Sequence, residues 1–484
     1  MTIADLKPYT AMKDSGVPWL GEIPEHWVVQ RGKNIFRCVD VRSETGKEEL
    51  LTVSSERGIV PRRSTTVTMF KAESYVGHKL CWPGDLVINS LWAWARGLGV
   101  SRYHGIVSTA YGVYRPLAGA SVESRFINEF VRSSPFHWEL QVRSKGVWTS
   151  RLQLTDESFL GAPFPLPPAY EQAAIVRFLD YMDRRIRKYV RAKQKLIKLL
   201  EEQKQAIIHR AVTRGLDPNV RLKPSGVEWL GDVPEHWEVM PLRRLTISRC
   251  DGPFGSGLKS SHYTDQGIRV IRLQNIGHAE FKDSDAAFIS PSHYATLGDH
   301  TVESGDLLIA GLGDERHPAG RACVAPAFIA PAMVKADCFR FRVFRQRLDQ
   351  EFVALHLTGT AVDAQSLLST GATRQRTNLQ TTASRLIAVP PPQEQLAIVQ
   401  YIMNGISSLS LAISNANREI ALLREYCTRL IADVVTGKLD VREAAVRLPD
   451  ETDEPELIDE ADAMSAVDEE SVADLDTVQE EAET

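Results

Sequence analysis

The side chains most suited to chemistry in this sequence fall in short clusters of arginine, lysine, asparagine, glutamine and tryptophan. Trp92, Trp94 and Arg96 share the glycine-flanked stretch LWAWARGLG, and RSKGVWTSR supplies Arg143, Lys145, Trp148 and Arg151. In the second half, GPFGSGLKSSHY carries Lys259, and IRLQN carries Arg272, Gln274 and Asn275. Arg316 and Arg321 follow, and TGATRQRTN adds Arg374, Gln375, Arg376 and Asn378. Arginine can read guanine bidentately in the major groove, and asparagine or glutamine can read adenine in the same way. Lysine and arginine also hold phosphates without regard to sequence. A single residue of this kind is ordinarily a solvated surface charge. The set, recurring late in each half of the chain, points to a DNA-binding surface.

Side chains that react are much less in view. The sequence has no G-x-x-x-x-G-K-[ST] loop for nucleotide phosphates, no H-E-x-x-H helix for zinc and no G-x-S-x-G elbow for a nucleophilic serine. The proline motifs of amino-methyltransferases are absent too: the two proline runs continue into Ala169-Tyr170 and Gln393-Glu394. The 12 histidines form no i, i+4 pair, and His26 and His236 sit inside Pro-Glu-His-Trp turns, where packing between proline and tryptophan is the expected role. Six scattered cysteines without a C-x-x-C pair argue against a disulfide framework and a zinc site, and suit a reducing cytoplasm. The expectation is a binding protein without a catalytic site.

A binding surface needs a scaffold, and the sequence supplies one twice. Ser15 to Trp27 (SGVPWLGEIPEHW) and Ser225 to Trp237 (SGVEWLGDVPEHW) agree at 10 of 13 positions, at an offset of 210. Gly84-Asp85-Leu86 returns as Gly305-Asp306-Leu307 at an offset of 221, and LPPAYEQAAIV (from Leu166) as VPPPQEQLAIV (from Val389) at 223. The offset grows mainly between the first two anchors, so a kept frame holds variable early loops, as expected where loops on a rigid scaffold carry binding. Asp85–Asn89, Gly267–Leu273 and Cys338–Val343 are β-branched or aromatic and partly alternating, which predicts strands.

Long helices should follow each mixed domain. Leu179, Met182, Ile186, Tyr189, Lys193, Leu196, Leu200, Gln203 and Ile207 recur at alternating steps of four and three. Val399, Ile402, Ile406, Leu409, Ile413, Ala416, Ile420, Leu423, Cys427, Leu430 and Val434 do likewise. A period of 3.5 is that of a coiled coil, and two such seams most simply pair with each other as a rod about 60 Å long. Glu171 and Glu394 fall in the first turns, where a carboxylate suits the helix dipole, and Gly215 and Gly437 are natural stops. Opposite the first seam runs a basic stripe of Arg184, Lys188, Arg191, Lys195 and Lys198.

The net charge of -5 conceals an asymmetry. Residues 449–484 hold 16 Asp or Glu and no Lys or Arg, so the remaining 57 basic and 46 acidic residues give the body about +11. Such a tail buries too little apolar surface to offset its ordering entropy, which predicts disorder. It either solubilises the protein or competes with nucleic acid for the basic body. No secretory leader and no apolar run of bilayer length are recognised.

The duplicated Trp-Leu-Gly-x-x-Pro-x-x-Trp segments, the doubled Pro-Pro-x-x-Glu-Gln motifs and GPFGS at Gly252 to Ser256 together closely resemble the specificity subunit of type I restriction–modification systems. The resemblance runs from about Ser15 to Gly437 and leaves out the acidic tail. It implies an α+β chain with two β-rich target-recognition domains in opposed orientation, separated by two long helices forming an antiparallel coiled coil. The corresponding segments are a lead-in (1–27), a first recognition domain (28–168), a central spacer helix (169–214), a linker with the repeated lead-in (215–237), a second recognition domain (238–391), a second spacer helix (392–437) and the tail (438–484). It further implies a non-catalytic, cytoplasmic subunit that reads a bipartite, asymmetric site in double-stranded DNA. Two methylation subunits and restriction subunits would dock on it, bringing S-adenosylmethionine, ATP and Mg that this chain does not itself bind. A coiled-coil protein–protein adaptor without DNA specificity is the rival reading.

Overall fold

The computed structural model describes residues 6–64, 74–146, 152–314, 316–364 and 375–449. Trp148, Arg151, Arg374 and the acidic segment 450–484 lie outside the described residues. The chain is α+β and forms two compact units, Met1–Lys193 with Arg418–Thr484, and Gln194–Asn417. Each long helix, Ala169–Arg214 and Pro392–Val435, gives one part to each unit.

The first unit opens with an antiparallel hairpin, Met12–Asp14 against Glu22–Pro24. Its turn closes through Gly21 N–H donating to the Val17 carbonyl, and the strand then bends where Trp27 N–H donates to the Pro24 carbonyl. Val28–Arg31 pairs with Pro163–Leu166, which leads directly into the first long helix. Between these lies a four-stranded antiparallel sheet in the order Phe36–Cys38, Tyr111–Pro116, Leu86–Asn89, Leu98–Val100. Helices Ser124–Arg132 and Ser134–Arg143 bring Phe126, Phe130 and Phe136 into the core, where Phe130 and Phe136 stand 4.8 Å apart, ring to ring.

The second unit has the same frame in the same order. Leu222–Pro224 pairs with Asp232–Pro234, Glu238–Pro241 with Leu386–Val389, and the four-stranded sheet runs Thr246–Cys250, Cys338–Val343, Leu307–Ala310, Ala322–Val324. The insert differs. Between Cys250 and Leu307 begin four strands of a second, five-stranded sheet, with its own core around Val270, Ile289 and Met333. Among the described residues of the first unit, the corresponding stretch carries short pairs, Leu51–Ser54 with Gly58–Pro61 and Lys79–Cys81 with Gly105–Val107. This is where the sequence offset between the copies grows.

Within each unit the two long helices run antiparallel. In the first, Leu179 shares a core with Leu430 and Val434, while Lys193 Nζ lies 2.7 Å from Glu419 further along. In the second, Lys204 Nζ donates to Ser410 Oγ at 3.1 Å, and Ile208 and Val212 share a core with Ile398 and Ile402. The apolar stripe is interrupted: Tyr189 and Leu196, placed in the seam by spacing, are 55% and 43% exposed. Two further expectations are corrected. Residues 438–449 are folded, with helix Arg442–Val446 burying Ala444 and Ala445 in the core that also holds Leu430 and Val434. The second long helix is long and apolar enough by composition to cross a membrane, although no such run was recognised. Its Ile398, Ile402, Leu430 and Val434 are buried against protein.

Candidate nucleic-acid interface

The duplicated motifs meet in space and fix the frame. Glu171, fully buried in the first turn of its helix, accepts hydrogen bonds from Trp27 Nε1 at 2.9 Å and from the Tyr9 hydroxyl, and lies 2.7 Å from His26 Nε2. Glu394 repeats this with Trp237 Nε1 at 3.1 Å and His236 Nε2 at 2.8 Å. The histidines therefore bind a carboxylate rather than merely packing in their turns, and the glutamates act as hydrogen-bond hubs as well as dipole partners. The neighbouring glutamines clamp the chain that precedes them: Gln172 donates to the Ser121 and Pro167 carbonyls, and Gln395 to those of Arg347 and Pro390. Both tryptophans are fully buried, and replacing either by alanine would cost about 3–5 kcal/mol.

The helix-ending glycines complete these nodes. Gly437 has a φ of +77, and a Cβ there would stand 2.4 Å from Pro24 Cδ, so the stop is also a close approach to the Trp27 turn. Gly215, with φ of +71, meets Trp237 in the second unit. The third anchor is an ion pair. Asp85 and Asp306 are buried, receive Trp82 N–H and Glu303 N–H respectively, and take bidentate bonds from Arg115 and Arg342 on the neighbouring strand at 2.7–2.9 Å.

The candidate binding residues of the first unit divide by environment. Trp92 is 62% exposed, whereas Trp94 turns its Nε1 to the Leu91 carbonyl. Arg96, in a left-handed conformation at φ 61, donates to Ser134 Oγ at 3.1 Å and is half-buried. Arg143 is partly buried, with Nε on the nearly buried Glu139 at 2.6 Å and Nη1 donating to the Ser158 carbonyl. Lys145 is exposed at a backbone bridge with Gln153. Sequence reasoning missed Trp138, 66% exposed on helix Ser134–Arg143, whose Gln141 also donates to the Trp94 carbonyl. Helical spacing alone could have placed it beside Val142, 78% exposed.

In the second unit, Asn275 and Arg321 are corrected. Asn275 is fully buried and donates to the Lys282 and Ser284 carbonyls while accepting from Arg272 N–H. Arg321 is 5% exposed and donates to the carbonyls of Leu273, Ile276, Leu312, His317 and Pro318, and burial pushes its pKa down. Both hold loops together. Arg272 and Gln274 converge on Asp285, which takes their donors from the surface. Asn378 caps helix Leu379–Ser384 through Thr381 N–H at 2.8 Å, and Lys259 is exposed apart from these.

The residues brought together are Arg316, Gln375 and Arg376. Strand Gln375–Arg376 pairs with Leu312–Gly313, which opens the turn carrying Arg316 and His317, and the Gln375 side chain accepts from Ala319 N–H. Arg376 is 57% exposed in its side chain and held at 3.2 Å by Asp337. Two titratable groups missed in the sequence border this cluster. Burial pushes Asp251 up to about 6, with the Asp337 charge adding to the shift. Burial also pushes His278 down to about 4, and its ring lies 5.8 Å from that of His317. The arrangement offers cationic and amide donors beside acceptors on one exposed edge, which suits base-edge readout.

No family model matches the chain. It is 21% identical over 285 residues to the type I restriction enzyme MjaVIII specificity subunit of Methanocaldococcus jannaschii, covering 59% of this chain and 64% of that relative. It is 20% identical over 437 residues to the type I restriction enzyme EcoKI specificity subunit of Escherichia coli, covering 87% and 90%. A solved structure of a type I R-M system matches with TM-score 0.61 at 17% identity, covering 86% of this chain and 99% of that one, and so shares its fold. These likenesses, together with the duplicated frame of Trp27–Glu171 and Trp237–Glu394, make the chain similar to the specificity subunits of type I restriction enzymes.

Proposed function

We propose that this chain reads a bipartite, asymmetric sequence in double-stranded DNA and serves as the non-catalytic scaffold on which two methylation subunits and the restriction subunits assemble. The observation that carries the reading is one frame, repeated to the level of individual hydrogen bonds, holding two different inserts. A repeated frame suits repeated docking of a methylation subunit, while different inserts suit different half-sites. Phosphate contacts from the basic body supply salt-dependent affinity, and base-edge contacts supply discrimination. The antiparallel helices act as a coiled-coil spacer fixing the gap between the half-sites. S-adenosylmethionine, ATP and Mg belong to the partner subunits, and the complex works in the cytoplasm without a membrane.

The test is to map methylated adenines after co-expression with a partner methyltransferase, with and without one heptad removed from each long helix. The shortened helices should keep both half-sites and reduce the gap by about 10 Å, or about three base pairs. An unchanged gap would sink the spacer role, and absence of any methylated bipartite site would sink the reading itself.

A further inference from the structure

We propose that the acidic segment 450–484 docks on the basic face of the first long helix in the first unit, so that the chain carries its own competitor for polyanions. The described chain delivers the segment to that face. Val441, Ala444 and Ala445 are buried in the first core, and Arg177 Nη2 donates to the Leu448 carbonyl at 3.1 Å. Beyond Arg177 on the same helix, Arg184, Arg185, Arg187, Lys188 and Arg191 are all exposed. Asp180 pairs with Arg125 and Asp183 with Arg187 at 2.8 Å, so the stretch from Arg177 to Arg191 stays net basic with these pairs in place. The face from Arg177 to Arg191 is about 21 Å long, whereas 35 extended residues reach roughly 115 Å.

Charge sets the match. The segment offers 16 carboxylates and no lysine or arginine, against a body that is net basic without it. Exposed ion pairs are individually weak and screened by salt, so such docking is multivalent, loose and displaced by a denser polyanion. Docking does not depend on DNA being the partner. Its consequence, weaker non-specific DNA binding, rests on the function proposed above.

The full chain and a chain ending at Pro449 separate these points, since the truncation keeps every described residue. Carbodiimide cross-linking of the full chain at low salt should join Lys188 to carboxylates of 450–484, and 0.5 M salt, where the screening length is only a few ångström, should abolish the links. Links scattered evenly over exposed lysines, or none, would overturn the docking. Binding to a 30-base-pair duplex of arbitrary sequence should tighten about tenfold on truncation at low salt. The gain should vanish when Arg184→Gln, Arg187→Gln, Lys188→Gln and Arg191→Gln are combined. Equal affinities for full and truncated chains would overturn the competition. If neither chain binds duplex while the Lys188 links persist, the docking stands and the DNA reading falls.

Discussion

The two glutamate nodes are built from the same residues and differ in what covers them. Glu171 is fully buried beneath Tyr9, whose hydroxyl donates to it and whose ring carries Arg442 at 5.1 Å. Its counterpart Glu394 keeps 28% of its side chain exposed. Burial and the carboxylate push the Tyr9 hydroxyl far above its ordinary range, so it remains a neutral donor. The difference comes from residues outside the duplicated motif: the segment around Tyr9 and residues 438–449 close the first node, and among the described residues the second has no equivalent cover in its own unit. A repeated motif therefore fixes the hydrogen-bond pattern, while its energetic weight depends on what each unit lays over it.

That contrast sets the largest expected effect. Glu171→Ala leaves the buried Trp27 Nε1 and Tyr9 hydroxyl without an acceptor and should cost the first unit about 3–5 kcal/mol. Glu394→Ala removes a side chain that is itself 28% exposed, so water can enter the space it leaves beside Trp237 Nε1, and it should cost the second about 1–2 kcal/mol. Hydrogen exchange resolved by unit measures both, and equal losses would break the contrast.

The aspartate anchors should behave alike in both copies. Arg115 and Arg342 are 30% and 28% exposed, and each satisfies a buried carboxylate. Arg115→Met and Arg342→Met should each destabilise their own unit by about 2–3 kcal/mol, since a buried charge loses its partner. A loss confined to one unit would show that the frame is not equivalent at this point.

Recognition should be divided where the frame is shared. Arg376→Ala should relax specificity at one position of one half-site by about 1–3 kcal/mol, leaving the other half intact, as read from methylated-adenine maps. Degradation of both halves, or of neither, would remove Arg376 from the reading surface.

The smallest effect is one of pH, confined to the second unit. Asp251 is raised to about 6, above its unfolded value, so the folded state holds the proton more tightly. The stability it contributes is present at acid pH and is lost as pH rises through about 6. Allowing for solvent screening of this half-buried group, the second unit should lose on the order of 1 kcal/mol between pH 5 and 7. Asp251→Asn should flatten that slope in denaturant titrations, and an unchanged slope would assign it to other groups.

What the sequence disclosed follows from what repetition and periodicity can carry. Both long helices and the placement of the variable insert were legible because spacing and offset record them directly. The Glu171–His26–Trp27 contact was not read, because a partner 144 residues away leaves no local pattern. Even so, all three residues recur together in the second copy, and that joint recurrence was the available signal. Asn275 and Arg321 were misassigned because composition cannot distinguish a polar side chain saturated by backbone carbonyls from one facing solvent. Tyr189 and Leu196 fit the seam by spacing but are exposed, since periodicity names a face and not what covers it.

The central claim, that each unit reads one half of a split site, is tested most directly by exchanging residues 28–165 for the matching domain of another specificity subunit. After co-expression with the partner methyltransferase, mapped methylated adenines should show one half-site replaced, with the other half and the gap retained. Both halves changing together, or both staying as they were, would contradict the account.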